Sequence, residues 1–134
     1  MITSFGNGMF VQPHSLHFDR DGNLWALDGD SKGGKGSHWI EIFDQNGKYL
    51  DEWKQFGRPT GLFVAPDNTL YVADDESNDQ RNPGLAPGIR IGSATDGKVI
   101  ANIPAMSTER AVADKAGNAY AAVLAGKTVR KYTR

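Results

Sequence analysis

The fold is decided by the stretch Pro13–Asp28, PHSLHFDRDGNLWALD, which returns 46 residues later as Pro59–Asp74, PTGLFVAPDNTLYVAD. A third, degenerate copy, TERAVADKAGNAYAAV, occupies Thr108–Val123 and carries alanine where the other copies carry larger apolar residues. Each copy consists of two short apolar runs that flank a turn. In the first copy the turn contains Asp21 and Gly22, a strong hairpin signal because glycine reaches positive φ without a Cβ clash. The copies therefore predict a recurring β-hairpin.

Further strands are expected after each hairpin. Third strands are predicted at His38–Asp44, Gly88–Ser93 and Thr128–Thr133, and fourth strands at Tyr49–Phe56 and Val99–Ala105. No stretch sustains apolar residues at helical spacing over three turns. Four-stranded units that repeat at about 40–50 residues are typical of β-propeller blades. We expect an all-β chain with an N-terminal closing strand and linker (1–12) and blades at 13–56, 57–106 and 107–134, the last without its fourth strand.

Composition excludes several classes of function. The chain has 134 residues, no cysteine and a formal charge of −1, with 15 basic and 16 acidic residues. The absence of cysteine excludes disulfide scaffolds, thiolate zinc sites and cysteine nucleophiles. The near-zero charge gives no electrostatic reason to expect nucleic acid or an anionic membrane as a partner. The first ten residues contain no recognisable signal peptide, so the compartment stays open.

Specific motifs resemble a known family. The segments Asp21–Trp25 (DGNLW), Ile42–Lys48 (IFDQNGK) and Leu70–Asp74 (LYVAD) are similar to the consensus of the NHL repeat, and Ser4–Phe10 resembles the glycine-rich linker that precedes such repeats. More narrowly, the chain resembles bacterial six-bladed NHL proteins of the peptidyl-hydroxyglycine amidating-lyase-like group. Those relatives are roughly twice as long. The resemblance implies an NHL-type propeller of which this chain is about half.

Three blades do not close a ring, since propellers typically have about four to eight. An open arc would expose two apolar blade faces and two sheet edges. One solution is a homodimer in which two arcs form a six-bladed ring. The other is that the chain is a truncation of a longer protein. We favour the dimer, in which the segment Ile2–Phe5 supplies the fourth strand of the partner's third blade.

The resemblance also implies where a site would lie. In NHL propellers the first strand of each blade lines the central channel, and the residue after the leading proline lies near one mouth. Those positions are His14, Thr60 and Glu109, with Arg110 beside them. In the amidating lyases, histidines in Pro-His contexts bind zinc. His14 matches that motif, whereas Thr60 and Glu109 depart from it, so a divalent metal would have to be held by His14 and Glu109 from two chains.

Each of these residues also has a structural interpretation. His14 is expected, on balance, to hydrogen-bond backbone at the ring mouth, and Arg110 to pair with Glu109. Asp28 and Asp74 end equivalent strands and are expected to accept backbone N–H bonds. A calcium site is an alternative for the acidic cluster Asp74, Asp75, Glu76 and Asp79. Basic side chains near the mouth are candidate contacts for an anionic ligand, namely Lys32, Lys35, Arg81, Arg90 and Arg110.

Two hypotheses about function follow. The first is a propeller scaffold that binds a small molecule, a peptide or a protein at the mouth of the channel. The second is a metal-dependent lyase or hydrolase, amidating-lyase-like or lactonase-like, with zinc or calcium in the channel held by His14 and Glu109 and with metal-bound water as base or nucleophile. No organic cofactor is predicted. Fold alone does not choose between them, because propellers host many functions.

Overall fold

The computed structural model describes residues 2–29 and 39–133, which form three antiparallel sheets. The first sheet contains β1 (Pro13–Phe18), β2 (Leu24–Asp28), β3 (Ile40–Phe43) and β4 (Tyr49–Trp53). The second contains β5 (Pro59–Val64), β6 (Thr69–Asp74), β7 (Gly88–Ser93) and β8 (Val99–Pro104). The third contains β9 (Thr108–Ala113), β10 (Ala119–Val123) and β11 (Thr128–Tyr132).

Each sheet is a meander in which strands pair in chain order, and no helix occurs within the described ranges. The all-β prediction with successive blades is therefore confirmed. The innermost strands lie side by side, because β5 contacts both β1 and β9. This is the arrangement of neighbouring propeller blades around an axis. Closure of a six-bladed ring by two chains stays a prediction.

The hairpin turns are stabilised by aspartates at equivalent positions. The Asp19 carboxylate accepts hydrogen bonds from the backbone of Asp21 and Asn23 and, at 2.9 Å, from the indole Nε1 of Trp25. Asp114 repeats the pattern in the third sheet, where the Tyr120 hydroxyl replaces the indole as donor. The side-chain hydrogen bond from Asn118, together with its backbone bond and the bond from Tyr120, lowers the pKa of Asp114 to about 2. The second hairpin has neither the aspartate nor the glycine, and Asn68 takes the left-handed conformation at φ 64°.

The first two sheets pack through a contact that we call the first interface. Its larger side chains are Trp25, Ile40 and Trp53 from the first sheet, Leu70 from the second, and Phe56 from the segment that connects them, all buried. The Trp25 and Trp53 rings meet edge to face with centroids 5.0 Å apart, and Trp53 stacks on Phe56 at 6.1 Å. Aromatic pairs in these geometries stabilise a core beyond the area that they bury.

The second and third sheets pack through the second interface, which is built from smaller side chains. Tyr71 and Ile89 of the second sheet face alanines of the third sheet, namely Ala111, Ala119 and Ala121, with Ala113 beside them. The alanines are those that distinguish the degenerate third copy in the sequence. The degeneracy is therefore located at the face that packs against the preceding blade.

The N-terminal segment lies against the first sheet. The Phe5 ring is 5.3 Å from the Phe43 ring, and Phe10 packs on the same ring at 5.9 Å. Ile2–Phe5 is not part of a strand in the described structure, and Ile2 is exposed. The segment therefore does not complete the third sheet of its own chain. Its pairing with a partner chain remains a prediction.

Among residues 2–29 and 39–133, no helix has the length and apolar character that crossing a bilayer requires.

Candidate functional site

The leading ends of β1, β5 and β9 surround a small pocket of about 100 Å³, which we call the mouth pocket. Its walls are formed by Gln12, His14, Gly29, Arg58, Pro59, Thr60, Asp75, Glu76 and Glu109. Three residues that the resemblance placed at the channel mouth, His14, Thr60 and Glu109, thus lie together. Because strand starts of three successive blades meet here, residues as far apart in the sequence as Gln12 and Glu109 share one site.

His14 is oriented by the neighbouring blade. Its Nδ1 lies 3.0 Å from the backbone oxygen of Thr60, and its Nε2 lies 3.8 Å from a carboxylate oxygen of Glu109. A carbonyl only accepts, so Nδ1 carries the proton in this bond. In the neutral ring the Nε2 lone pair then faces the Glu109 side. Gly29 makes room for the ring, since a Cβ at Gly29 would lie 2.8 Å from the Cβ of His14.

Thr60 connects strands rather than offering a free hydroxyl. Its Oγ1 lies 3.3 Å from the backbone oxygen of Ala73 and 3.2 Å from that of Thr108. A hydroxyl has one proton and donates to one of these carbonyls at a time. The side chain therefore links the second and third blades at the mouth.

Asp75 is the electrostatically unusual residue of the pocket. Burial, followed by the negative charges of Glu109, Glu76 and Asp74, raises its pKa to about 6. Its Oδ1 is buried and has no hydrogen-bond partner among the described residues. An ionised carboxylate in such surroundings is stabilised by any incoming cation or N–H donor.

Glu76, the next residue, is held differently. Its Oε2 accepts hydrogen bonds from Arg58 at 3.2 and 3.3 Å and from Arg81 at 3.0 Å. Arg58 is buried, so this pair fixes the wall of the pocket. Arg81, predicted as a contact for an anionic ligand, contacts Glu76 instead.

The recurring aspartates lie behind the pocket. Asp28 accepts backbone N–H bonds from Val11 at 3.0 Å and Gln12 at 2.6 Å. Asp74 accepts from the backbone of Glu76 and Ser77.

Arg90 pairs with Asp74 and is itself buried. The guanidinium also donates to the backbone oxygens of Phe56 and Ala86. Arg90 is thus an internal tie and has little surface to offer an anionic ligand, contrary to its interpretation as a ligand contact. An arginine in the apolar strand GIRIGS was the available signal, because arginine is rarely buried unless it is paired.

Arg110 does not belong to the mouth pocket. It is exposed, does not line the pocket, and forms no ion pair with Glu109 in the described structure. Its charge lies close enough to His17 to contribute to the lowered pKa of that ring, for which burial is the larger cause. The predicted basic contacts Lys32 and Lys35, and the strand start at His38, lie outside the described residues.

In the part of one chain that the structure describes, the donors at the mouth do not complete a metal site. His14 and Glu109 are two, whereas catalytic zinc sites have about three protein ligands. Among residues 2–29 and 39–133, no group of three or more His, Asp or Glu side chains is arranged to hold a metal ion. In the acidic cluster considered for calcium, Asp74 and Glu76 accept hydrogen bonds from arginines.

Sequence reasoning missed the importance of Asp75 as an individual residue. The available signal was the run Asp74-Asp75-Glu76 directly after an apolar strand. Three consecutive carboxylates at such a place are not all expected to pair with a cationic side chain. Which of the three stays unpaired depends on Arg81 of the same loop and on two arginines from elsewhere, Arg58 just before β5 and Arg90 in β7. That choice is a property of the tertiary structure.

Comparison with known proteins supports the fold and a distant relationship. A probable peptidyl-alpha-hydroxyglycine alpha-amidating lyase, pgal-1 of Caenorhabditis elegans, is 28% identical over 89 residues, 58% of this chain and 24% of the relative. Kuenenia stuttgartiensis hydrazine synthase superposes with a TM-score of 0.63 at 19% identity, over 83% of this chain and 29% of that one. A Bacteroides caccae protein of unknown function gives 0.58 at 15% identity, over 90% and 42%.

No protein-family model matches the chain. The chain spans about a quarter of the length of the curated relative that it matches. The weak homology to an amidating lyase and the structural similarity together support a β-propeller-like fold.

Proposed function

We propose that this chain is part of an NHL-type propeller scaffold that binds a ligand at the mouth pocket, and that the ligand presents a cationic or N–H-donating group of a small molecule or a peptide. The observation that carries the proposal is the buried Oδ1 of Asp75, which lacks a hydrogen-bond partner in the described structure. Leaving such a group unsatisfied costs about 1–3 kcal/mol, so a donor that reaches it gains correspondingly.

Charge in the pocket favours the same class of ligand. Glu109 places a negative charge beside Asp75, and after burial this charge is the next largest cause of the raised pKa of Asp75. Arg58 on the other side is directed to Glu76. An arginine or lysine side chain, or a primary amine, therefore complements the pocket better than an anion does.

The ligand hypothesis is tested by NMR titration with acetyl-arginine-amide and, in parallel, with acetate. Binding of the cation with shifts at His14 and Thr60, weakened at least tenfold in Asp75→Asn, supports the proposal. Asp79→Asn is the matched control, since Asp79 is an exposed acid of the same loop outside the pocket. Equal loss in both variants, stronger binding of acetate, or no binding of either probe contradicts it.

The ring that would surround this mouth is proposed to form from two copies of the chain. Large apolar side chains are exposed on the outer sheets, including Leu16 and Phe18 on β1 and Val129 on β11. A second arc would bury these faces, as would further blades of a longer chain. Sedimentation equilibrium at micromolar concentration tests the dimer: twice the 14.6 kDa chain mass supports it and a monomer contradicts it.

A metal-dependent lyase or hydrolase is the second candidate. It is favoured by the His14 ring, whose Nδ1 bond to Thr60 leaves Nε2 directed toward Glu109, as in histidines that bind metals. Zinc titration followed by calorimetry tests it. Binding near one ion per two chains that disappears in His14→Ala but persists in His17→Ala supports a shared site. Absence of binding, or equal loss in both variants, rejects it.

A further inference from the structure

The second interface contains an open cavity of about 460 Å³, well separated from the mouth pocket. Its walls include the turns that follow β5 and β9, 65–67 and 114–117. The mouth pocket lies at the starts of the same strands. The two cavities therefore open at opposite ends of the second and third blades.

Comparison of equivalent positions explains the cavity. Trp53 lies at the end of β4 and belongs to the first interface. The equivalent residue in the second interface is Ile103 of β8, because each of the two residues pairs with the third strand of its sheet at the same register. The position of Leu70 in the second sheet corresponds to Ala119 in the third. The cavity thus occupies volume that an indole and a leucine fill in the neighbouring interface.

The walls are mainly apolar, and polar side chains also contribute to them, namely Asp67, Thr69, Asp114, Lys115 and Thr133. Tyr71, Ile91, Ile103 and Ala119 provide flat and aliphatic surface. Tyr132 also lines the cavity, and its hydroxyl oxygen is buried without a hydrogen-bond partner in the described structure. A mostly apolar pocket of this volume with a convergent polar group is typical of small-molecule sites.

We propose that this cavity binds a planar bicyclic aromatic molecule that carries an N–H or O–H group, with the ring in the space that Trp53 occupies in the first interface and the polar group bonded to the Tyr132 hydroxyl. The ligand is expected to be aromatic because the equivalent positions of the first interface, which has the same strand arrangement, pack an aromatic ring. It requires a hydrogen-bonding group because a purely apolar ligand would leave the tyrosine hydroxyl unsatisfied.

Indole is the probe, titrated into the full chain by ligand-observed NMR and calorimetry. Ala119→Leu and Ile103→Trp each restore the residue type of the first interface and should each weaken indole binding at least tenfold. Ala122→Leu is the matched control, because Ala122 is exposed on the opposite face of the same strand. Thermal unfolding confirms that each variant is folded. Unchanged affinity in both cavity-filling variants, or equal loss in Ala122→Leu, overturns the proposal.

The polar part is tested with Tyr132→Phe and with indene, the hydrocarbon analogue of indole. Tyr132→Phe should weaken indole binding about five- to tenfold and leave indene binding unchanged. An equal effect on both ligands would show that the hydroxyl does not recognise the ligand, and would overturn that assignment. Should a second copy of the chain seal the cavity, neither probe would bind at any concentration, and the proposal would fail.

Discussion

The two interfaces between successive blades share a backbone plan and differ in how they are filled. The hairpins have equivalent registers, with Pro13 opposite Asp28, Pro59 opposite Asp74 and Thr108 opposite Val123. The first interface packs tryptophan and phenylalanine rings, whereas the second packs alanines and leaves a cavity. A repeat can therefore preserve strand pairing while its side-chain packing changes, because pairing depends on backbone hydrogen bonds and packing depends on side-chain volume.

The difference matters energetically. Side chains around an open cavity lose contact partners on one side, so each contributes less than an equivalent residue in a filled core. The first interface should accordingly carry most of the stability of the chain.

The largest expected effect comes from truncating the first interface. Trp53→Ala should lower the free energy of unfolding by about 3–5 kcal/mol, because the ring is buried against Trp25 and Phe56. The equivalent change Ile103→Ala should cost about 1–2 kcal/mol, since Ile103 already borders the cavity. Urea denaturation of both variants measures the contrast. Equal costs would show that the two interfaces are energetically alike.

The second prediction concerns the ion pair that supports the first interface. Arg90 holds the backbone oxygen of Phe56 and pairs with Asp74. Asp74→Asn should destabilise the fold by about 3 kcal/mol, because it leaves a buried guanidinium without its counter-charge. Asp79→Asn, at an exposed acid, should change stability by less than about 0.5 kcal/mol. Similar effects in chemical denaturation would contradict a structural role for the pair.

The same substitution, alanine to leucine, at two positions of β10 tests the cavity directly. Ala119→Leu extends into the cavity and should raise the free energy of unfolding by about 1–2 kcal/mol. Ala121→Leu, two residues along the same strand at a fully buried position outside the cavity walls, should lower it by about 1–3 kcal/mol through overpacking. Thermal melts of both variants provide the measurement. Effects of the same sign would show that the second interface is filled as tightly as the first.

The smallest expected effect concerns the mouth pocket, to which all three blades contribute residues. The folded-state pKa of Asp75 lies near 6, above its ordinary value of 3.8. The folded state therefore binds the proton more tightly, and this contribution is fully present below pH 4 and is lost as pH rises through 6. Asp75→Asn should raise stability at pH 7.5 by about 1 kcal/mol, after allowance for solvent screening, and should have little effect at pH 4.

Urea titrations of Asp75→Asn and of the unsubstituted chain at both pH values check this prediction. A benefit that is equal at pH 4 and pH 7.5 would mean that ionisation of Asp75 is not its origin. Loss of ligand binding together with a gain of stability would identify Asp75 as a residue kept for function at a cost to folding.

Much of the fold was predictable from local signals. The turn residues and alternating apolar runs located the strands to within a few residues: Gly88–Ser93 agrees at both ends, and Tyr49–Phe56 is three residues longer than the observed β4. The site was less accessible. The resemblance predicted that His14, Thr60 and Glu109 lie together. The burial of Arg90 and the unpaired oxygen of Asp75 were not predictable in this way, because they depend on contacts between different loops and strands.

The sequence by itself determined the repeat, the strand order and the shrinking of side chains in the third copy, because these follow from spacing, turn chemistry and residue size along one chain. Only the tertiary structure decided where the cavity lies, which acid of Asp74, Asp75 and Glu76 stays unpaired, and which nitrogen of His14 forms a hydrogen bond. The physical reason is that cavities and charge partnerships are set by the distances between blades, and local sequence patterns do not encode those distances.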